Sequence, residues 1–278
     1  MKIPHIVFLL FFFVTTSYSQ SPWVAGKGNG YAQLGFSMIG PYDVLFAKRN
    51  DYPLAREVAD RTMQVYAEYG VAGKTSVIGI LPFKFMTTGQ QAPNQSPTIA
   101  EGSFSTIGNI AVAVRQNFIS DKVVFSGQLS MEIPTARFDE TTGLRGGLDA
   151  LSVVPSVSIG RGLEKFYGFL SAGIGIRTNE YSSDFRLAGE IGYQVVKRIY
   201  IIVVLDWVES FENGEVIENP NQLQTGLYLN NQSFVAYGLK AIVGITNNVG
   251  VNAAFYGAAA GNLVAKAPSI NVGVYYKW

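Results

Sequence analysis

The stretch SINVGVYYKW, residues 269 to 278, decides the fold. Read with a period of two, Ile270, Val272, Val274, Tyr276 and Trp278 fall on one face, and Ser269, Asn271, Gly273, Tyr275 and Lys277 on the other. That alternation predicts a strand with one apolar and one polar side. Edge strands of soluble sandwiches alternate in the same way, so the rest of the chain has to choose the surroundings.

Working back from that strand, the sequence from Gly30 onward breaks into alternating segments of about ten residues. Up-going strands are expected near 30–40, 76–86, 123–133, 165–177, 199–209 and 249–259, with down-going partners near 60–70, 104–117, 151–160, 184–194, 232–244 and 269–278. Twelve strands result. Five connections are short and built on turn residues: Gly73-Lys74, Asp121-Lys122, Glu164-Lys165, Lys197-Arg198 and Asn247-Asn248. At the other end most are long and irregular (41–59, 87–103, 134–150 and 210–231), with shorter ones near 179–183 and 260–268. Short turns at one rim and long loops at the other predict an all-β fold, a transmembrane up-and-down antiparallel β-barrel with periplasmic turns and extracellular loops.

Charge falls on one face of these strands. Phe125, Leu129, Met131 and Ile133 oppose Ser126, Gln128, Ser130 and Glu132, and Phe185, Leu187, Ile191 and Tyr193 oppose Arg186, Ala188 and Glu190. An Arg or Lys facing lipid at the midplane costs about 2–4 kcal/mol, so the charged face turns inward. Glu68, Lys84, Arg115, Glu132, Arg177, Arg186, Glu190, Asp206 and Lys240 are therefore the expected lining of a polar, mixed-charge interior. Aromatic residues collect at strand ends, with Tyr31, Tyr69, Phe118, Phe166, Tyr193, Tyr200 and Trp278 toward the turns and Phe36, Phe85, Trp207 and Phe234 toward the loops, as in two interfacial girdles.

The N-terminus reads as a secretory signal, with Lys2, an apolar run from Ile6 to Val14, and Ser17-Tyr18-Ser19 offering small residues to the peptidase. Cleavage is expected after Ser19. Residues 20–29 then form a periplasmic lead, flexible around Gly26-Lys27-Gly28-Asn29-Gly30, and 30–278 the barrel. Removal of Lys2 leaves 21 less one, or 20, basic residues against 20 acidic ones. A neutral chain argues against a nucleic-acid partner. The apolar runs beyond the signal, such as 199–205, are too short for a spanning helix, so an exported chain this apolar is expected to insert as strands.

The runs DRTMQVYAEYGV (60–71), SVIGILPFKF (76–85), TTGLRGGLDA (141–150), GEIGYQV (189–195) and SFENG (210–214), with the strand ending on Trp278, resemble the outer-membrane transporter barrels grouped with phenol meta-cleavage-pathway proteins. That group is distantly related to the long-chain fatty acid transporters, and this chain resembles a member from the Bacteroidetes. The resemblance implies a Gram-negative outer-membrane protein in contact with outer-membrane lipid, assembled through periplasmic chaperones and the barrel assembly machinery. The fatty acid transporters carry a substantial N-terminal plug; here only 20–29 precede the first strand.

The chemistry is restricted. Cysteine is absent, and the single histidine, His5, lies in the segment expected to be removed. Ser/His hydrolysis and imidazole or thiolate metal ligation are thereby excluded, and no cofactor is expected. A carboxylate mechanism through Glu132 and Glu190 stays open in principle, but inward carboxylates are more simply counter-charges to Arg and Lys. Gly73-Lys74-Thr75 is no phosphate loop, since Glu68 stands where its first glycine would be. Pro82, inside the third strand, lacks the N–H that a ladder needs. It marks either a gap in the wall for sideways exit of apolar substrates or a strand that already frays above the membrane. Two functions are carried forward: a passive channel or transporter for small, including apolar, molecules, and a structural or surface-binding protein acting through its extracellular loops.

Overall fold

A computed structural model describes residues 21–91, 93 and 99–278. The expected signal segment and its cut after Ser19 lie outside the described residues. Among the described residues sixteen strands follow one another: β1 (Gly30–Phe46), β2 (Tyr52–Ala72), β3 (Thr75–Thr88), β4 (Gly102–Ile107), β5 (Ile110–Ser120), β6 (Val124–Ile133), β7 (Phe138–Asp139), β8 (Leu144–Arg145), β9 (Ser152–Gly162), β10 (Phe166–Arg177), β11 (Asp184–Val196), β12 (Ile199–Ser210), β13 (Ser233–Gly244), β14 (Val249–Asn262), β15 (Val264–Ala265) and β16 (Ser269–Lys277). A single helical turn, α1 (Pro220–Leu223), sits in the loop before β13. Strands β4 and β5 form one interrupted stave, and β7, β8 and β15 are short pieces at the loop end. Twelve staves remain, each antiparallel to its neighbours.

The C-terminal strand closes the cylinder. It pairs with β14 on one side and with β1 on the other, from Ile39↔Ser269 to Tyr31↔Lys277. A closed sheet has no edge, which is what a strand-built membrane protein requires. Along β16 Val272, Val274 and Tyr276 are exposed on the outer face, while Gly273 and Tyr275 are buried. Other staves repeat this division: Leu129 and Met131 face outward on β6, with Ser126, Gln128 and Ser130 inward.

Three expectations change. The first extracellular loop is not 41–59 but only 47–51, because β1 and β2 continue past the membrane band. Pro41 and Pro53 are accommodated by register shifts between Ile39 and Val44, where an interrupted ladder tolerates them. Second, Tyr31 and Tyr200 leave the turn-side girdle: Tyr31 is buried and Tyr200 packs beside it in the interior. Phe234 pairs with Val208 on the interior face. Tyr69, Phe118, Phe166, Tyr193, Trp278, Phe36, Phe85 and Trp207 are exposed on the outer wall.

Third, residues 21–25 are no loose periplasmic lead. Ser21 to Val24 are buried in the turn-side mouth. The Trp23 ring meets Tyr167 and Phe169 edge-on, with centroids 5.8 and 5.9 Å away. An indole has too much apolar surface to leave in water when an aromatic socket is open beside it. The strap is then fixed by its backbone: Ala25 N donates to Ser76 Oγ at 2.8 Å and Glu68 Oε1 at 3.2 Å. Gly70 lets it lie flat, since a Cβ there would come within 2.2 Å of the Gly26 carbonyl oxygen. Gly70→Ala is expected to lift the strap at a cost of about 1–3 kcal/mol. Faster amide exchange at 23–25, with barrel amides unchanged, is the measurement that checks it.

Candidate passage through the barrel

The interior is arranged in tiers, beginning at the turns. Arg115 and Glu68 are fully buried there, with Arg115 Nη1 3.3 Å from Glu68 Oε2. The guanidinium also donates to the Trp23 carbonyl and to Gln128 Oε1, both at 2.8 Å, and Tyr66 donates its hydroxyl to Glu68 at 3.0 Å. One buried pair thus joins β2, β5, β6 and the strap.

At the next tier side chains meet across the cylinder. Ile78 and Ile80 of β3, Ala111 and Ala113 of β5, Ile202 and Val204 of β12 and Ile242 of β13 belong to one apolar cluster with Tyr31, Tyr66 and Tyr275. β3 and β12 are the third and ninth of twelve staves and so stand opposite each other. The interior is therefore not polar throughout, contrary to expectation; over Val77–Leu81 of β3 and Ile201–Leu205 of β12 both faces are apolar. Beside this cluster Lys240 Nζ lies 2.5 Å from Glu190 Oε1, and Tyr167 donates to Glu190 Oε2 at 3.2 Å.

Toward the loops Lys84 pairs with Asp60 at 2.7 Å, donates to Thr62 at 2.8 Å and lies 5.2 Å from the Tyr228 ring centroid. Arg177 and Arg186 both pair with buried Asp184. Glu132, opposite Ser152 in register, and Asp206, opposite Ala188, are half-buried on the interior face. All nine expected residues thus lie on the interior side. The anionic partners Asp60 and Asp184 were missed, although each shares the parity of an expected neighbour, Asp60 with Glu68 and Asp184 with Arg186 and Glu190.

The loop end is capped. Leu227 packs with Tyr42, Leu45, Leu54, Val58, Met86 and Leu144, and Tyr42 donates its hydroxyl to the Thr225 carbonyl at 2.8 Å. Thr225 donates to Gly143 O at 3.1 Å, so the 211–232 and 134–151 loops are tied together. Burial pushes the Tyr228 phenol up to about 12, against the lowering influence of Lys84, so the hydroxyl stays protonated within the cap.

The wall itself has a seam. β3 does not fray at Pro82, because its pairing with β2 and β4 continues to Thr88. Between Ile80↔Ala111 and Phe83↔Ile107 the opposing stave holds one extra residue, and Gly108 N donates to Pro82 O at 2.9 Å. Proline has no N–H to return to Gly108 O. That carbonyl instead accepts from the Thr135 hydroxyl at 2.7 Å, and Thr135 Oγ1 in turn accepts from Ile110 N at 3.0 Å. Above this point β4 pairs only with β3. Its free side is covered by the 134–151 loop, held by Asn109, which donates to Leu148 O at 2.8 Å and accepts from Ala136 N at 3.2 Å. Thr135→Val keeps the shape and removes the stitch; a cost of about 1–3 kcal/mol is expected from the unsatisfied groups, read as faster exchange of the Ile110 amide.

This geometry defines a twelve-stranded closed barrel of the outer-membrane type, stoppered by a strap at the turn end and by loops at the other. Solved structures share that fold. The crystal structure of the COG4313 outer membrane channel from Pseudomonas putida F1 matches with a TM-score of 0.71 at 10% identity, over 92% of this chain and 97% of that one. The KdgM porin matches with a TM-score of 0.53 at 8% identity, over 88% and 98%. The translocator domain of the autotransporter NalP from Neisseria meningitidis gives 0.52 at 12% identity, over 91% and 90%. These sources do not speak for the Bacteroidetes origin suggested by the motifs. No protein-family model and no curated protein matches the chain.

Proposed function

We propose that this barrel is an outer-membrane channel for small molecules, with the Pro82–Gly108 seam as a sideways exit for apolar ones. The observation that carries the reading is the wall: at one height the ladder is replaced by the side chains of Thr135 and Asn109, and a loop rather than a strand covers the free side of β4. Replacing a ladder by side-chain hydrogen bonds lowers the cost of local opening, because few backbone bonds must break together. The apolar cluster inside gives an uncharged solute a surface to follow, and the charges of the neighbouring tiers, Arg115 with Glu68 and Lys240 with Glu190, are paired. A barrel of twelve strands lies between side-chain-filled barrels of about 8 strands and open porins of about 16.

The test compares cells making the protein with cells carrying an empty vector, following uptake of a small uncharged aromatic dye, and records conductance of the purified barrel in planar bilayers. Faster dye uptake with little steady ion current is the expected result, given the stoppers at both mouths. Uptake no faster than in vector controls would remove the channel reading. The structural or surface-binding reading has its own support in the tightly knit cap, and would then stand.

A further inference from the structure

A formal net charge of only +1 conceals a strong polarity along the barrel axis. At the turn end, Lys27, Lys74, Lys122, Arg161, Lys165 and Lys197 are exposed, against two exposed acids, Asp121 and Glu164. Arg198 and Lys277, half-buried, add to the excess. The loop end has the opposite bias, with Glu57, Glu101, Asp149, Glu180, Glu209 and Glu215 exposed. Among the described residues, none of the six exposed turn-end cations is in an ion pair.

These cations also sit at a particular depth. Arg161 is exposed on β9 two residues beyond Ile159, on the same outer face as Val157 and Ile159. Lys165 immediately precedes the outward ring of Phe166, and Lys197 follows the exposed Val195 and Val196. Lys122 comes shortly after Phe118 and Ile119, which are also exposed. Each is placed where the apolar band ends, beside the aromatic residues that mark the interface. Their long side chains can keep methylene stems against the wall while the charge reaches sideways into the headgroup layer.

We infer that the turn-end rim is a binding surface for anionic phospholipid headgroups of the periplasmic leaflet. A partner below the barrel, such as an anionic polymer, would be met by cations pointing along the axis. Arg161 instead lies on the lipid-facing wall itself. The attraction is a surface one and should weaken as salt shortens the screening length.

The test uses the purified barrel mixed with equal amounts of phosphatidylglycerol and phosphatidylcholine of matched chains, with bound lipids counted by native mass spectrometry. The unsubstituted protein is expected to retain phosphatidylglycerol preferentially. Each cation near an anionic surface contributes a factor of about five to lipid enrichment, so Arg161→Gln/Lys165→Gln/Lys197→Gln should lower the preference by up to about a hundredfold. A loop-end triple, Lys48→Gln/Arg49→Gln/Arg137→Gln, changes the net charge equally and should keep it. Equal retention of the two lipids by the unsubstituted protein would overturn the assignment, as would an unchanged preference in the turn-end triple or an equal loss in the loop-end triple. Co-sedimentation with isolated peptidoglycan that the turn-end triple abolishes, without lipid preference, would also overturn it and give the rim to that polymer.

Discussion

Glu68→Ala is expected to destabilise the barrel by about 3–5 kcal/mol, the cost of leaving a buried charge without its partner. Arg115 is fully buried and forms its ion pair with Glu68, which is itself buried. The substitution also strips an acceptor from the Tyr66 hydroxyl and from Ala25 N. The damage should begin at the strap, because Arg115 holds the Trp23 carbonyl and can no longer be held itself. Denaturant unfolding followed by tryptophan fluorescence would therefore show an early strap transition at Trp23 followed by a lowered main midpoint. Glu68→Gln retains acceptors and shape without the charge, and should fall between the two proteins. The double substitution Glu68→Leu/Arg115→Met removes both ions, and replacing a buried pair by apolar residues is often neutral. It should recover most of the main midpoint but not the strap, which still lacks its guanidinium. A midpoint in Glu68→Ala equal to that of the unsubstituted protein would mean that Arg115 is solvated, and the turn-end tier would not be the packed element described.

How far the sequence could be read follows from which contacts are local. In β16, β6 and β11 a polar face alternates with an apolar one, so period-two reading has a face to choose. The five short turns fix which end is which. β3 and β12 are different: Ile78, Ile80, Ile202 and Val204 point inward as well as having apolar outward neighbours, so alternation offers no face to choose. Their partners stand on the far side of the cylinder, over a hundred residues away in the chain, and only closure of the sheet brings them together. Tyr31 and Tyr200 were misplaced for the same reason, since a tyrosine near a strand end suits either the interface or a packed interior. Trp23 falls within the expected lead with no local signal of its role, because its socket of Tyr167 and Phe169 is created by β10. At the seam the sequence shows Pro82 and its missing N–H, while Thr135 and Asn109, which repair the consequence, come from separate segments.

Covalently closing the seam is expected to abolish uptake of apolar solutes while leaving the barrel folded. The chain has no cysteine, so Thr106→Cys/Gly146→Cys introduces a single possible disulfide. A Cβ on Gly146 would lie 2.4 Å from Thr106 Cγ2, which brings the two β-carbons into the range that a disulfide spans once the methyl is gone. That bond would join β4 to the loop covering its free side, just above Pro82 and Gly108. If apolar molecules leave through this wall, the loop must move away from β4, and oxidation should reduce dye uptake to the vector level, at least about tenfold, or ~1.4 kcal/mol of added barrier. A thiol reductant should restore it in the same cells. The small ion conductance expected of the stoppered barrel should be the same in both redox states, because the crosslink ties the loop to the inner face of β4 where it already packs, beside Lys84, and adds no new obstruction to the axis. Equal dye uptake by the oxidised and reduced forms, with the disulfide verified on a non-reducing gel, would eliminate the sideways route. Loss of conductance together with dye uptake would instead place the obstruction on the axis, with both kinds of solute sharing one path through the loop cap.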